Sequence, residues 1–520
     1  MSNKSKLIVF VAVLASLLEI IDTSIVNVAL STMMGNLGAT LEDISMVITG
    51  YAIANAVVLP VSGWLSEKIG RRTFYLGCIA AFTVTSVACG FAPNLGVLIV
   101  FRILQGAFGG ALLPTSQALI YEQFPREKAG IAGAIFGMSV MIGPTLGPVL
   151  GGYLTDNLGW RSIFNVNLPL GILALVVGSA CIFNREKSTA EIEQSKNSKI
   201  DAVGLGLLIA GIGCLQFVLE RGEANDWFSS KAICTNAAIA AIALPSFVFW
   251  ELRVKNPIIN VRLFKEPIVT CGVLLMGFLG FFLYGIVFLL PVFVARVFHY
   301  TATQTGVLFI PGSLLTAFLM PFVGRSMAKV NTKFLIAIGL VGIEVCLLMM
   351  THFSTLTSQH QIFLSLLARG VGMAFLFVPI NSSILSQFTG AALGQVSGLL
   401  NLFRQIGGSM GIAMIATLMS SKAAQNYTNM ISKLTMLDGQ ARAFMYQSMR
   451  GMSAAMTNNM GMGDARHAAL MALFFRVDNQ VFMITFLQVI FIIMLITGFS
   501  FVPLWFLKFK RKPVVVSDAH

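Results

Sequence analysis

Apolar runs recur along almost the whole chain, and no other feature constrains its fold as tightly. Each is close to the ~20 residues that an α-helix needs to cross a bilayer. Marking them gives fourteen spans, at 7–31, 44–66, 73–92, 96–121, 129–154, 163–183, 201–220, 231–251, 268–294, 304–327, 333–353, 360–388, 394–420 and 480–507. Only 11% of the residues are charged, against about a quarter in soluble domains, so the runs are not core helices of a water-soluble fold. A transmembrane barrel is excluded, because its strands would be short and alternating. The expected class is an all-α integral membrane protein. The first run follows MSNKSK, is too long for a signal-peptide core and has no A-x-A site behind it, so it reads as a retained first span.

An even number of spans leaves both termini on one side, and Lys and Arg say which. Loops on the N-terminal side carry Lys4, Lys6, Lys68, Arg71, Arg72, Arg126 and Lys128 among others, and the tail adds Lys508, Lys510, Arg511 and Lys512. The short loops opposite hold only Arg161, Arg221, Lys231 and Arg296. The positive-inside rule then puts both termini in the cytoplasm, and the basic residues of the long 421–479 loop do not count against it. The net charge of +13 therefore reads as topology rather than nucleic-acid binding. All seven cysteines lie in apolar runs without a C-x-x-C pair, and the five histidines show no metal-ligand spacing. No metal site and no cofactor is expected.

The two halves echo each other. GWLSEKIGRR at 63–72 answers to GRSMAKVNTK at 324–333, Arg102 to Arg369, and Gly143 to Gly411, at offsets of 261, 267 and 268 residues. Six spans with their loops need only about 190–200 residues at ~20 per span, so the surplus is about two helices. The expected plan is a six-helix bundle at 1–184, a linker with two inserted spans at 185–260, and a second six-helix bundle at 261–520 that includes the loop 421–479. Duplication of this kind is typical of secondary transporters, whose site lies between the repeats near mid-membrane.

Three groups of residues carry candidate chemistry. In the loop after span 2, Gly63 and Gly70 permit tight turns, while Glu67, Arg71 and Arg72 can pair with acids or helix ends, which reads as a gate latch. In span 5, Gly143, Gly147 and Gly151 recur every four residues, with Gly152 beside them, so a neighbour can approach closely; Pro144 and Pro148 favour a kink. That helix suits a rocking interface or a static tight contact. The third group is charged residues inside spans, costly at about 2.5–3.5 kcal/mol each on insertion scales and functional by default. These are Glu19, Asp22, Arg102, Arg369 and Arg404, with Glu344 less central. Glu19 and Asp22 sit one turn apart, and two acids there cannot both ionise cheaply, so one is expected to take up and release a proton. A permanent ion pair with Arg102 is the alternative.

With these residues in hand, the chain resembles the major facilitator superfamily, whose signature loop reads G-x-L-a-D-r-x-G-r-k; here Glu67 replaces the aspartate without changing the charge. LIVFRILQGAFGGA at 98–111 is similar to the span-4 motif, with Arg102 its buried arginine, and GMSVMIGPTLGPVLGGYL at 137–154 to the span-5 motif of antiporters. WRSIFNVNLPLG at 160–171, the two extra spans and LLNLFRQIGGSMGIA at 399–413 resemble the fourteen-spanner drug:proton antiporters of the EmrB/QacA type. The resemblance implies the major facilitator fold and export of hydrophobic or amphiphilic, often cationic, compounds by alternating access. It also implies a bacterial inner-membrane location and the proton motive force in place of a cofactor. It places a functional acid at Asp22, leaving Glu19 as helper or as a recogniser of cationic substrate, with Arg102 as their charge partner. Asn27, Glu344, Arg369, Asn401 and Arg404 are the candidates for the substrate cavity.

The loop 421–479 carries Met445, Met449, Met452, Met456 and Met460 in one helical stripe. It reads as an amphipathic helix on the membrane or on the protein's own outer face, as a docking surface for a periplasmic adaptor leading to an outer-membrane channel, or, more remotely, as a Cu(I) cluster. Besides a channel, against which the duplicated gate motifs argue, two rivals remain for the whole chain. One is a dedicated exporter of a single amphiphile, such as a fatty acid, siderophore or envelope lipid. The other, a membrane enzyme, lacks any Ser/His/Asp set or H-x-x-x-H.

Overall fold

The structure is a computed structural model that describes residues 2–183, 201–254, 257–433 and 462–507, with a few isolated positions between 439 and 447. Fourteen helices are long and apolar enough to cross a membrane. They are α1 Asn3–Leu37, α2 Leu41–Ile69, α3 Arg71–Gly90, α4 Leu95–Glu122, α5 Ala129–Leu158 and α6 Asn167–Cys181, then α7 Ala202–Arg221 and α8 Lys231–Glu251. The remainder are α9 Pro267–Phe298, α10 Ala302–Ser326, α11 Thr332–Met350, α12 Gln359–Leu385, α13 Gly390–Lys433 and α14 Met462–Gly498. Among the described residues there is no strand. Each helix starts or stops where local chemistry says so. The Thr40, Asn94 and Asp201 side chains accept from backbone N–H groups at the starts of α2, α4 and α7, and Gly38 closes α1 at φ +59°.

The helices form two six-helix bundles with two inserted helices, the arrangement that the resemblance implied. In the first bundle α1 packs on α4, α5 and α6; in the second α9 packs on α12 and α13. The bundles meet through α5 with α10, α2 with α13, and α4 with α13. Many of these contacts lie towards the end of the molecule that carries the N-terminus, here called proximal. A Cβ on Gly63 would lie 2.7 Å from the Gly394 backbone, and one on Gly130 only 2.1 Å from the Gly324 carbonyl. Only glycine allows such backbone approach. The inserted pair α7–α8 sits to one side, with α7 against both α2 and α13.

Helices α13 and α14 depart from expectation. The sequence set a loop at 421–479, but the described residues of α13 stay helical for 44 residues through Lys433 and those of α14 are helical from Met462. At 1.5 Å per residue α13 is roughly 65 Å long, about twice the hydrocarbon core. Hydropathy marks where lipid ends, not where a helix ends, and SSKAAQNYTNMISK keeps helical residues in water. The projecting segments pair: Asn426 donates to Thr485 and Gln488, both at 3.0 Å, and the Tyr427 and Phe474 rings meet edge-on. The methionine stripe 445–460 and the linker 185–200 lie outside the described residues.

Candidate functional site

Asp22 is fully buried inside the first bundle. It accepts from Arg102 Nη1 at 2.6 Å, from Gln105 Nε2 at 2.8 Å and from Asn167 Nδ2 at 2.9 Å. All three partners are donors, so an ionised carboxylate fits the site. Arg102, 1% exposed, also donates to Gln105 Oε1 and the Val47 carbonyl and lies 4.2 Å over the Tyr51 ring. Asn167 in turn donates to Ser86, whose hydroxyl holds the Phe164 carbonyl. The structure thus shows the ion pair that the sequence held open as an alternative, braced by two amides.

Glu19, one turn earlier, has a different setting. It is 5% exposed; Oε1 accepts from Asn55 Nδ2 at 2.9 Å, and Oε2 is buried with no partner. Arg404 of the second bundle acts on it electrostatically without forming an ion pair. Among the described residues Arg404 itself donates only to neutral groups, Tyr284 at 3.2 Å and Asn401 Oδ1 at 3.3 Å. Asn401 donates to Gln117 Oε1, which also accepts from Ser397, while Gln117 Nε2 donates to Asn381 at 2.7 Å. A belt of polar side chains therefore crosses the seam between the bundles, and Glu19 feels its Arg404 without bonding to it.

The glycine stripe of α5 explains how α1 is held there. A Cβ on Gly143 would lie 2.3 Å from Ile20, one on Gly147 1.9 Å from Ser24 Oγ, and one on Gly151 2.9 Å from Ile25. The smooth face is filled by α1 of the same bundle, a close contact of the kind the sequence offered beside a rocking interface. Gly152 is buried beside it, and α5 stays helical through Pro144 and Pro148. Gly407 and Gly411 of α13 do the same against the α9 backbone at Gly277 and Phe281.

The proposed latch is mostly internal to the first bundle. Arg71 pairs with Glu122, Arg72 donates to the Ser179 carbonyl at 2.8 Å, and Gly70 turns the chain at φ +98°. Gly63 meets the other half, and Glu67 is exposed and engaged. The cavity candidates scatter. Asn27 is exposed on α1, in line with exposed Thr23 and Ser31. Glu344 is half-buried away from the seam, among α9, α11, α12 and α14, where Thr497 donates to it at 2.8 Å. Arg369 points into the second bundle over Phe309, with Nε and Nη1 buried and unpartnered. Only Asn401 and Arg404 reach the polar belt.

Comparison with known proteins now decides the family. The profile described as Major Facilitator Superfamily matches residues 12–412. The chain belongs to the Major Facilitator Superfamily. Multidrug export protein EmrB of Haemophilus influenzae is 32% identical over 88% of this chain and 87% of its own. EmrB of Escherichia coli K12 is 33% identical over 84% and 85%. Fatty acid resistance protein FarB of Neisseria gonorrhoeae is 35% identical over 81% and 82%. The human organic anion transporter MFSD10 (TETRAN) shares the fold at a TM-score of 0.60 and 14% identity, covering 98% of this chain and 100% of its own. The proton:xylose symporter XylE does so at 0.58 and 16%, covering 81% and 90%. The chain is a multi-pass membrane protein of a transporter family.

Within this superfamily member, several site residues carried no sequence signal of their own. Gln105, Asn167, Gln117, Asn381 and Asn55 are amides, cheaper to insert than charges, so a search for intramembrane charge passes over them. Their signal was position: Gln105 follows Arg102 by three residues, one turn along the same face.

Proposed function

We propose that the chain is a proton-coupled multidrug exporter of a bacterial inner membrane, with both termini cytoplasmic, and that Glu19 carries the exchanged proton. The observation that carries this reading is the contrast on α1. Asp22 is saturated by three donors, whereas Glu19 lies at the seam with one oxygen unpartnered. A proton on Glu19 meets no competing donor at Oε2, and its arrival changes the charge facing Arg404. Asp22 and Arg102 then act as the fixed pair that holds α1 to α4. The relatives named multidrug export proteins support the substrate class, and the basic loops support the sidedness. The membrane potential supplies ~2.3 kcal/mol per charge per 100 mV, and no cofactor is required. The projecting α13–α14 pair would meet a periplasmic adaptor that feeds an outer-membrane channel.

The test uses inside-out vesicles with an imposed pH gradient. Substrate-dependent proton release is expected in the native protein and lost in Glu19→Gln with the protein still folded; undiminished release in that variant overturns the assignment. Export that persists after an ionophore collapses the gradient overturns proton coupling itself. The likeness to FarB favours a second reading, dedicated export of one amphiphile. A deletion strain that accumulates only one compound class, rather than several unrelated dyes, would select it.

A further inference from the structure

We propose that Glu220 is a second proton-binding site, apart from the Glu19 seam, and that its acid form fastens the inserted helix α7 to the second bundle. The site lies at the end of α7 remote from the N-terminal face. Glu220 Oε1 accepts from Ser409 Oγ of α13 at 2.8 Å and from Gln216 Nε2, one turn back, at 2.9 Å. Gln216 Nε2 also donates to Ser409 Oγ at 2.6 Å. Gln216 is 1% exposed, yet its Oε1 is buried with no donor. An orphaned buried acceptor of this kind costs free energy until a donor arrives.

A proton on Glu220 is that donor. The two side chains already share one bond, Nε2 to Oε1. Protonation of the other carboxyl oxygen allows a return bond to Gln216 Oε1, the two-way pairing of a carboxylic acid with a primary amide. The proton comes from the aqueous phase, adds to the carboxylate and displaces nothing, so the step balances as simple binding.

No neighbouring charge substitutes for it. Arg221, the next residue, turns the other way, to Glu42 and to Ser45 of α2. On α2, Asp43 accepts from Thr40. Glu223 and Asp226 lie in the turn beyond α7, Lys231 starts α8, and Lys422 of α13 donates to Gln425. Among the described residues none of these pairs with Glu220. Neutral donors alone hold the carboxylate.

The consequence follows from α7 standing between the halves. Arg221 ties it to α2, and Trp227, just past its end, donates to Thr417 of α13 at 2.8 Å. Glu220 lies between these ties. Proton binding there makes α7 a pH-dependent brace across the two bundles on the side away from the N-terminus. This goes beyond the proton carried by Glu19 and does not depend on it.

The test uses the full chain in lipid nanodiscs, with exposed Cys234 replaced by Ser and spin labels at Ala224→Cys and Ser421→Cys, both exposed positions. Moving from mildly alkaline to mildly acidic pH is expected to narrow the distance distribution of the native protein. Glu220→Gln, which keeps the two-way amide pairing without a proton, is expected to give the narrow distribution at both pH values. Gln216→Leu is expected to stay broad at both. A difference infrared spectrum should show a protonated carboxyl band at acidic pH that Glu220→Gln lacks and Glu19→Gln retains. A pH response that survives in Glu220→Gln, or no band assignable to Glu220, overturns the proposal. Neither readout needs substrate or gradient, so failure of proton-driven export would leave this test intact.

Discussion

Arg102 and Arg369 answer to each other in the two bundles, on α4 and α12, yet their surroundings differ. Arg102 has Asp22, Gln105 and the Val47 carbonyl as acceptors and Tyr51 beneath it. Arg369 is 6% exposed, has no acid partner among the described residues, and keeps two nitrogens unbonded over Phe309. The repeat preserved the arginine and not its acid. The first bundle thus holds a neutral, locked pair, and the second holds a buried charge that has, among the described residues, the Phe309 ring against it but no acid. Position in a duplicated fold does not fix a residue's role; the partner does.

The largest effect expected from this contrast is at Asp22. Asp22→Ala leaves Arg102 buried and uncompensated, which should cost about 3–5 kcal/mol and show as a lower Tm and yield in detergent. A native-like Tm would mean that Arg102 finds another acceptor and that the bundles are less different than they look. Next comes a control for the shared architecture. Gly147→Leu, against Ser24, and Gly411→Leu, against the Phe281 carbonyl, should each destabilise by about 1–3 kcal/mol or more. Unequal losses in unfolding experiments would show that the stripes are not equivalent.

Smaller again is Gln117→Leu, which leaves Asn381 Oδ1 without its donor and takes one acceptor each from Ser397 and Asn401, and which should weaken the seam by roughly 1–3 kcal/mol. Spin-label distances across the proximal end should widen; unchanged distances would move the seam's strength to the glycine contacts. The smallest effect is at Arg369. Arg369→Met removes a charge that nothing satisfies, so stability should stay within about 1 kcal/mol of native or rise. A loss as large as that of Asp22→Ala would reveal an acceptor for Arg369 that this conformation does not display.

All fourteen spans could be read from the sequence, because lipid demands a continuous apolar run and tolerates little else. The ends were harder. At Ser420 the chain leaves the apolar phase while the helix continues. Within the site, charge was legible and pairing was not. The spacing of Glu19 and Asp22 put both acids on one side of α1, but one turn was enough to send Asp22 into its own bundle and Glu19 to the seam. Glycine spacing on α5 told which face was bare; it could not tell that α1, rather than the other half, would fill it. Those choices are made by helix rotation and crossing, which side-chain chemistry records only after the bundle is assembled.

The neutrality of the Asp22–Arg102 pair has an electrical consequence. If that pair never changes charge, Glu19 is the one variable in the seam's charge arithmetic. Exchange of one proton for one monocationic drug would then move no net charge, and such a drug would follow the pH difference alone. A neutral compound exported by the same cycle would move one positive charge inward and respond to voltage as well. Current recorded from supported membranes should therefore depend on the valence of the cargo, with the pump itself unchanged.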